Sequence, residues 1–138
     1  MKTVYKHHVD IPYSLHDAIV NQIKISDDHI YLGFEKGFVE RKEPYKRVHG
    51  RMIIENVDLD FAIIELLNID GNHGCFQGEK IELKDFLNQY HFKSFEIVDE
   101  LYGYNQVLYS GYLLCNNSED FIEMNMSIYY TGNIIYEV

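Results

Sequence analysis

FIEMNMSIYY, residues 121–130, alternates without a slip. Ile122, Met124, Met126 and Ile128 fall on one side, and Phe121, Glu123, Asn125, Ser127 and Tyr129 on the other. A period of two is that of a β-strand with one face buried and the other turned to water. The neighbouring segments repeat the theme. Upstream, the polar cluster NNSED at 116–120 turns the chain, and QVLYSGYLLC at 106–115 reads as a second strand. Gly103 separates it from FKSFEIVDELY at 92–102, with Phe95, Ile97 and Leu101 expected inward. Downstream, Thr131-Gly132-Asn133 reads as a hairpin turn that returns Ile134–Val138 beside the strand before it.

The first half follows the same pattern. AIVNQIKI at 18–25 has Ile19, Ile23 and Ile25 for one face, although Asn21 interrupts it. A helix capped by Ser14 is the alternative. Asp27-Asp28 is a turn signal, and His29–Phe34 alternates with Ile30, Leu32 and Phe34 on one side. Glu35-Lys36-Gly37 leads to Phe38–Arg41. Arg47–Val57 reads as one longer strand with both faces partly covered at Ile53-Ile54, and Phe61–Ile69 as another. Residues 71–79 carry three glycines and read as a loop. Over about 80–90, Leu83, Phe86, Leu87 and Tyr90 recur at the spacing of one helix face. So short a helix is not stable alone and must pack on something. The expectation is a single domain over 1–138, mainly β: an antiparallel sandwich or half-open barrel of seven to eight strands with one short packed helix.

The chain has 138 residues, 46% of them apolar, enough to enclose one core. No stretch approaches the roughly 20 apolar residues that span a bilayer, and MKTVYKHHVD lacks the apolar region of a secretory signal. A cytoplasmic location follows as the expectation. Cys75 and Cys115 then read as reduced thiols, Cys115 as a small buried residue and Cys75 as the more exposed.

The formal charge is −10, which disfavours nucleic acid and anionic membrane as partners. Its layout is uneven. Lys36, Arg41, Lys42, Lys46, Arg47 and Arg51 are half of all the basic residues, and beyond Lys93 there is neither Lys nor Arg. That last third holds Glu96, Asp99, Glu100, Glu119, Asp120, Glu123 and Glu137. Either folding brings the two segments together and their fields cancel, or an acidic face remains that steers a basic partner. Glu119, Asp120 and Glu123, with Tyr129 as an aromatic anchor, are the candidate binding residues.

Catalytic and metal chemistry is thinly represented. His16-Asp17 would suit a general base with an orienting carboxylate, yet neighbours on a strand point to opposite faces. His7, His8 and Asp10, or His73 and Cys75, lack the paired spacing of zinc sites. Asp58-x-Asp60 and Asp70-Gly71-Asn72 lack the acid that completes a calcium loop. Phosphate loops, dinucleotide fingerprints and nucleophile elbows are absent. No cofactor or metal is expected, and no catalytic residue is assigned.

SLHDAIVNQIKISDDHIYLGFEKGF at 14–38 and MIIENVDLDFAIIELL at 52–67 resemble segments of a set of small bacterial β-rich proteins. These open on a Leu-His-Asp step and share a central strand, Asn-Val-Asp, strand segment. Some are grouped with the immunity proteins of toxin systems. The resemblance implies a β-rich, non-enzymatic protein and carries no catalytic residues. Together with the charge layout, it makes a protein-binding module that neutralises a basic toxin the expected function. A small-molecule site inside the sandwich or barrel is the alternative, with a small hydrolase or metal enzyme behind it.

Overall fold

The structure is a computed structural model that describes residues 1–5, 10–68 and 77–138. Its strands are β1 (Tyr13–Ser14), β2 (Ile19–Ser26), β3 (His29–Phe34), β4 (Phe38–Glu40), β5 (Arg47–Val48), β6 (Arg51–Ile54), β7 (Ile63–Asn68), β8 (Gln77–Glu82), β9 (Phe92–Gly103), β10 (Gln106–Cys115), β11 (Phe121–Tyr129) and β12 (Ile134–Glu137). One helix, α1, covers Leu83–Gln89, and a 3-10 turn covers Leu59–Phe61. The protein is thus mainly β with one short helix. The strand segments outnumber the expected seven to eight, partly because the Arg47–Val57 stretch breaks at His49-Gly50 into β5 and β6.

Nine strands form one antiparallel sheet in the order β12-β6-β3-β2-β9-β10-β11-β7-β8, and β1-β4-β5 form a small second sheet. The large sheet is open at β12 and β8, so it is not a closed barrel. Its two halves meet in the β2–β9 ladder through only Ile19↔Glu96 and Val20↔Phe95. There it bends, and both halves contribute to one apolar core. The Tyr109 hydroxyl on β10 reaches Met52 Sδ on β6 at 3.7 Å, a contact across the two layers. Phe38 brings the small sheet onto this core and meets Tyr13 and Tyr136 edge-on.

Alternation decides which side chains are inside. Val107, Tyr109 and Leu113 on β10, and Met124, Met126 and Ile128 on β11, are buried. Three bulges reset that alternation, one of them near the start of β9, where Ser94 pairs with Leu114 and Phe92 with Cys115, leaving Lys93 without a partner on β10. On β2 the register shifts between Val20 and Gln22, so Asn21, the residue that spoils the sequence pattern, is the extra one. Val20 and Ile23 are therefore both buried. On β9, Asp99 pairs with Ser110 and Ile97 with Gly111, which leaves Val98 without a partner on β10. Phe95 and Ile97 point inward as expected. Beyond the bulge the parity flips, and Leu101, expected inward, is 60% exposed. Glu100 and Tyr102 take the inner positions opposite Tyr109 and Val107. Gly111 permits the bulge, because a Cβ there would lie 1.7 Å from the Glu96 carbonyl oxygen.

Two further expectations are corrected. Residues 80–82 belong to β8 rather than the helix, since Ile81 pairs with Ile64 and Lys80 with Glu65 at the sheet edge. The stripe itself holds: Leu83 and Phe86 are fully buried, and Leu87 and Tyr90 pack against the same core. Thr131-Gly132-Asn133 is not a hairpin turn. It carries the chain across to the other layer, where Ile134 pairs with Ile54 and Glu137 with Arg51. The crossing is held by backbone bonds from Glu55 N–H to Asn133 and from Gly132 N–H to Glu55. No described helix is long and apolar enough to cross a membrane.

Candidate functional site

No described residue covers the face of β9, β10, β11, β7 and β8 opposite the core. Register places its side chains in rows. Glu96, Tyr112, Glu123 and Leu67 lie side by side across four strands, and Asp99, Ser110, Asn125, Glu65 and Lys80 form the next row. Directly opposed side chains sit about 5 Å apart at Cβ, so Tyr112 is flanked by two carboxylates. Leu101, Tyr112, Phe121 and Tyr129 are exposed apolar groups among these polar ones. Tyr129 meets Phe61 edge-to-face at 5.9 Å. Ser110 Oγ donates to Asn125 Oδ1 at 2.7 Å, which fixes the centre of the face.

The candidates read from sequence are only partly brought together. Glu123 and Tyr129 share this face, but Glu119 and Asp120 sit in the exposed turn before β11. Asp120 N–H donates to Ser118 Oγ there. Nine residue steps of extended chain separate Asp120 from Tyr129, about 30 Å, so the four do not form one compact site. Glu65, Glu96, Asp99 and Tyr112, which sequence reasoning did not single out, complete the face around Glu123. The parity of β10 against β11 carried that information for Tyr112; the orientation of Asp99 depends on the Val98 bulge.

The basic segment does not neutralise the face. Among the described residues, its contact with the C-terminal acids is the ion pair of Arg51 with Glu137 at the far edge of the sheet. The other described salt bridges join His16 to Asp17 and Lys84 to Glu82. Glu65, Glu96, Asp99, Glu119, Asp120 and Glu123 enter none of them.

His16 and Asp17 do pair, with Nε2 to Oδ2 at 3.5 Å. The strand argument against their pairing fails because these residues form a turn, with Asp17 at φ 61°. Val98, the bulged residue, accepts a hydrogen bond from His16 Nδ1 at 2.5 Å. With acceptors at both ring nitrogens, the imidazolium is favoured: the Val98 carbonyl, then Asp17, raise the His16 pKa above its ordinary value. Ser14 Oγ accepts the His16 backbone N–H, so the trio ties down a turn rather than building a nucleophile. Asp58 Oδ1 accepts from Asp60 N–H and caps the 3-10 turn, which accounts for that Asp-x-Asp pair. Among the described residues, no group of three His, Cys, Asp or Glu is disposed to hold a metal ion. His7, His8, Asp70, Gly71, Asn72, His73 and Cys75 lie outside the described residues. Cys115 is half-buried and unbonded, and burial pushes its thiol pKa up.

The bulge on β9 places a carboxylate where alternation would put a leucine. Glu100 Oε2 accepts Leu15 N–H at 3.0 Å, and Oε1 accepts the Tyr102 hydroxyl at 2.8 Å. Tyr109 and Tyr136 stand beside them. Burial holds the Tyr102 and Tyr109 phenols far above their ordinary range and pushes Tyr136 up to about 12. All three stay protonated next to the charge of Glu100. Glu100, Tyr102 and Tyr136, but not Tyr109, line an open cleft of about 1180 Å³ together with Tyr104, Tyr130, Asp10 and Arg41.

No protein-family model matches the sequence, and no curated protein or solved structure does either. The functional reading therefore rests on the geometry of these two surfaces.

Proposed function

We propose that the protein is a non-enzymatic binding module whose acidic, aromatic sheet face takes a basic protein partner. The observation that carries this reading is the row Glu96–Tyr112–Glu123, an aromatic ring between two carboxylates that no described cation neutralises. Unpaired charge on an open face raises the encounter rate with a cationic surface. Exposed rings among the acids supply area at low entropic cost once the partner has docked. Neutralising a basic toxin is one task that fits, since some of the small bacterial proteins that the 14–38 and 52–67 segments resemble are grouped with immunity proteins. A nuclease toxin binds phosphates and is itself cationic.

Affinity capture from the source organism tests the idea, with the wild type compared against Glu96→Lys/Glu123→Lys. The expected result is a cationic protein retained by the wild type and released by moderate salt, and not retained by the variant. A partner held equally by both proteins, or an acidic one, would overturn the reading.

A further inference from the structure

We propose that the cleft above Glu100 is a separate site for an organic cation, a guanidinium or primary ammonium group, that enters between the tyrosines and pairs with this carboxylate. The site does not rest on the outer face. It opens at the end of the sandwich formed by the β9–β10 turn and the 130–133 crossing, on the inner side of the sheet.

Four observations converge on it. The bulge at Val98 turns Glu100 inward, and a bulge that re-aims one polar side chain into a cavity is a recurrent device of functional sites. Among the described residues, the Glu100 carboxylate has two neutral donors, Leu15 N–H and the Tyr102 hydroxyl, and no cation. Each of its oxygens keeps a lone pair for a further N–H. Beside it, the Tyr136 hydroxyl is buried next to the Tyr102 hydroxyl and makes no hydrogen bond of full geometry among the described residues, so a ligand N–H that reached it would complete its bonding. Around this pair the cleft carries the rings of Tyr104 and Tyr130 as well as Tyr102 and Tyr136. Aromatic faces attract cations, and the attraction strengthens where water is thinned out.

The sign of the ligand follows from the lining. Among the described residues of the lining, Asp10 and Glu100 stand against one base, Arg41, which forms no described salt bridge with either. An anion would meet two carboxylates, and a neutral ligand would leave Glu100 without a counter-charge. The cleft is larger than a single amine needs, so the cation can be a free small molecule or a basic side chain within a peptide.

Titration by calorimetry and by amide NMR distinguishes these sources. The probes are agmatine, a blocked Gly-Gly-Arg-Gly-Gly peptide, and the same peptide with citrulline, which is neutral and of the same shape. Saturable 1:1 binding of agmatine or of the arginine peptide, with shifts confined to the cleft, is expected, and the tighter of the two names the source. The citrulline peptide should bind about tenfold more weakly or not at all. Glu100→Gln, which keeps an acceptor for Leu15 N–H, should weaken the cation about tenfold or more. Tyr136→Phe and Tyr104→Ala, which do not disturb that bond, should each weaken it severalfold, whereas Asp27→Asn, in the turn between β2 and β3, should leave it unchanged. Citrulline binding as tightly as arginine, cation binding unaltered in the Glu100 and both tyrosine variants, or no saturable binding of either cation would overturn the proposal.

Discussion

Gly111 and His16 act on the same bulge from opposite sides. Gly111 lets the Glu96 carbonyl approach so closely that any side chain would displace the backbone. Gly111→Ala should therefore cost about 2–3 kcal/mol, the scale of forced overpacking in a sheet interior. Urea unfolding with an unchanged m-value is the measurement, and a loss below about 0.5 kcal/mol would mean that β9 and β10 do not approach this way. His16 holds the outward side through Val98, and its folded-state pKa is raised. A raised pKa means that the folded form binds the proton more tightly. The stabilisation is then fully present below the ordinary imidazole value and fades as pH rises through the higher folded value. The stability gap between wild type and His16→Gln should be widest below the ordinary imidazole value of about 6.5 and close as pH rises past the higher folded value. A gap that widens with rising pH would contradict the assignment.

At the scale of elements, the two halves of β9 behave differently. Ile97→Ala removes a fully buried side chain and should cost about 2–5 kcal/mol. Leu101→Ala, four residues on, should stay within about 0.5 kcal/mol because its side chain is exposed. Equal costs would place both residues in the core and remove the bulge. This pair also marks where the sequence stops being legible. β11 could be read residue by residue, since nothing interrupts its alternation and its partners add no bulge. β9 could not, because the extra residue is hydrophobic and Val98 looks like any strand valine. Only Gly111, a glycine inside a strand pattern on the neighbouring segment, hinted at the close approach. The helix stripe at 83–90 was legible, but its start was not, since the pairing of Lys80 and Ile81 with β7 overrides local preference. The 131–133 segment carries good turn residues, and local chemistry cannot tell a hairpin from a crossing to the other layer. Glu100 was hidden for the same reason as Leu101: its orientation is a consequence of register.

For the whole molecule, the question is where its uneven charge goes. Folding brings Arg51 to Glu137 and leaves the β9–β10–β11–β7 face acidic, with Tyr112, Phe121 and Tyr129 among its carboxylates. A face of this kind acts first on encounter and then, through its aromatic groups, on the lifetime of the complex. Tyr129→Ala should accordingly raise the dissociation rate of a captured partner while leaving its association rate within about twofold. The most direct test is stopped-flow association of the captured partner with wild type and with Asp99→Lys/Glu123→Lys, across a series of ionic strengths. The double reversal should slow association severalfold at about 20 mM salt, and the two rates should converge as salt approaches about 0.5 M, where screening acts over only a few ångströms. Identical association rates at the lowest salt would contradict the account.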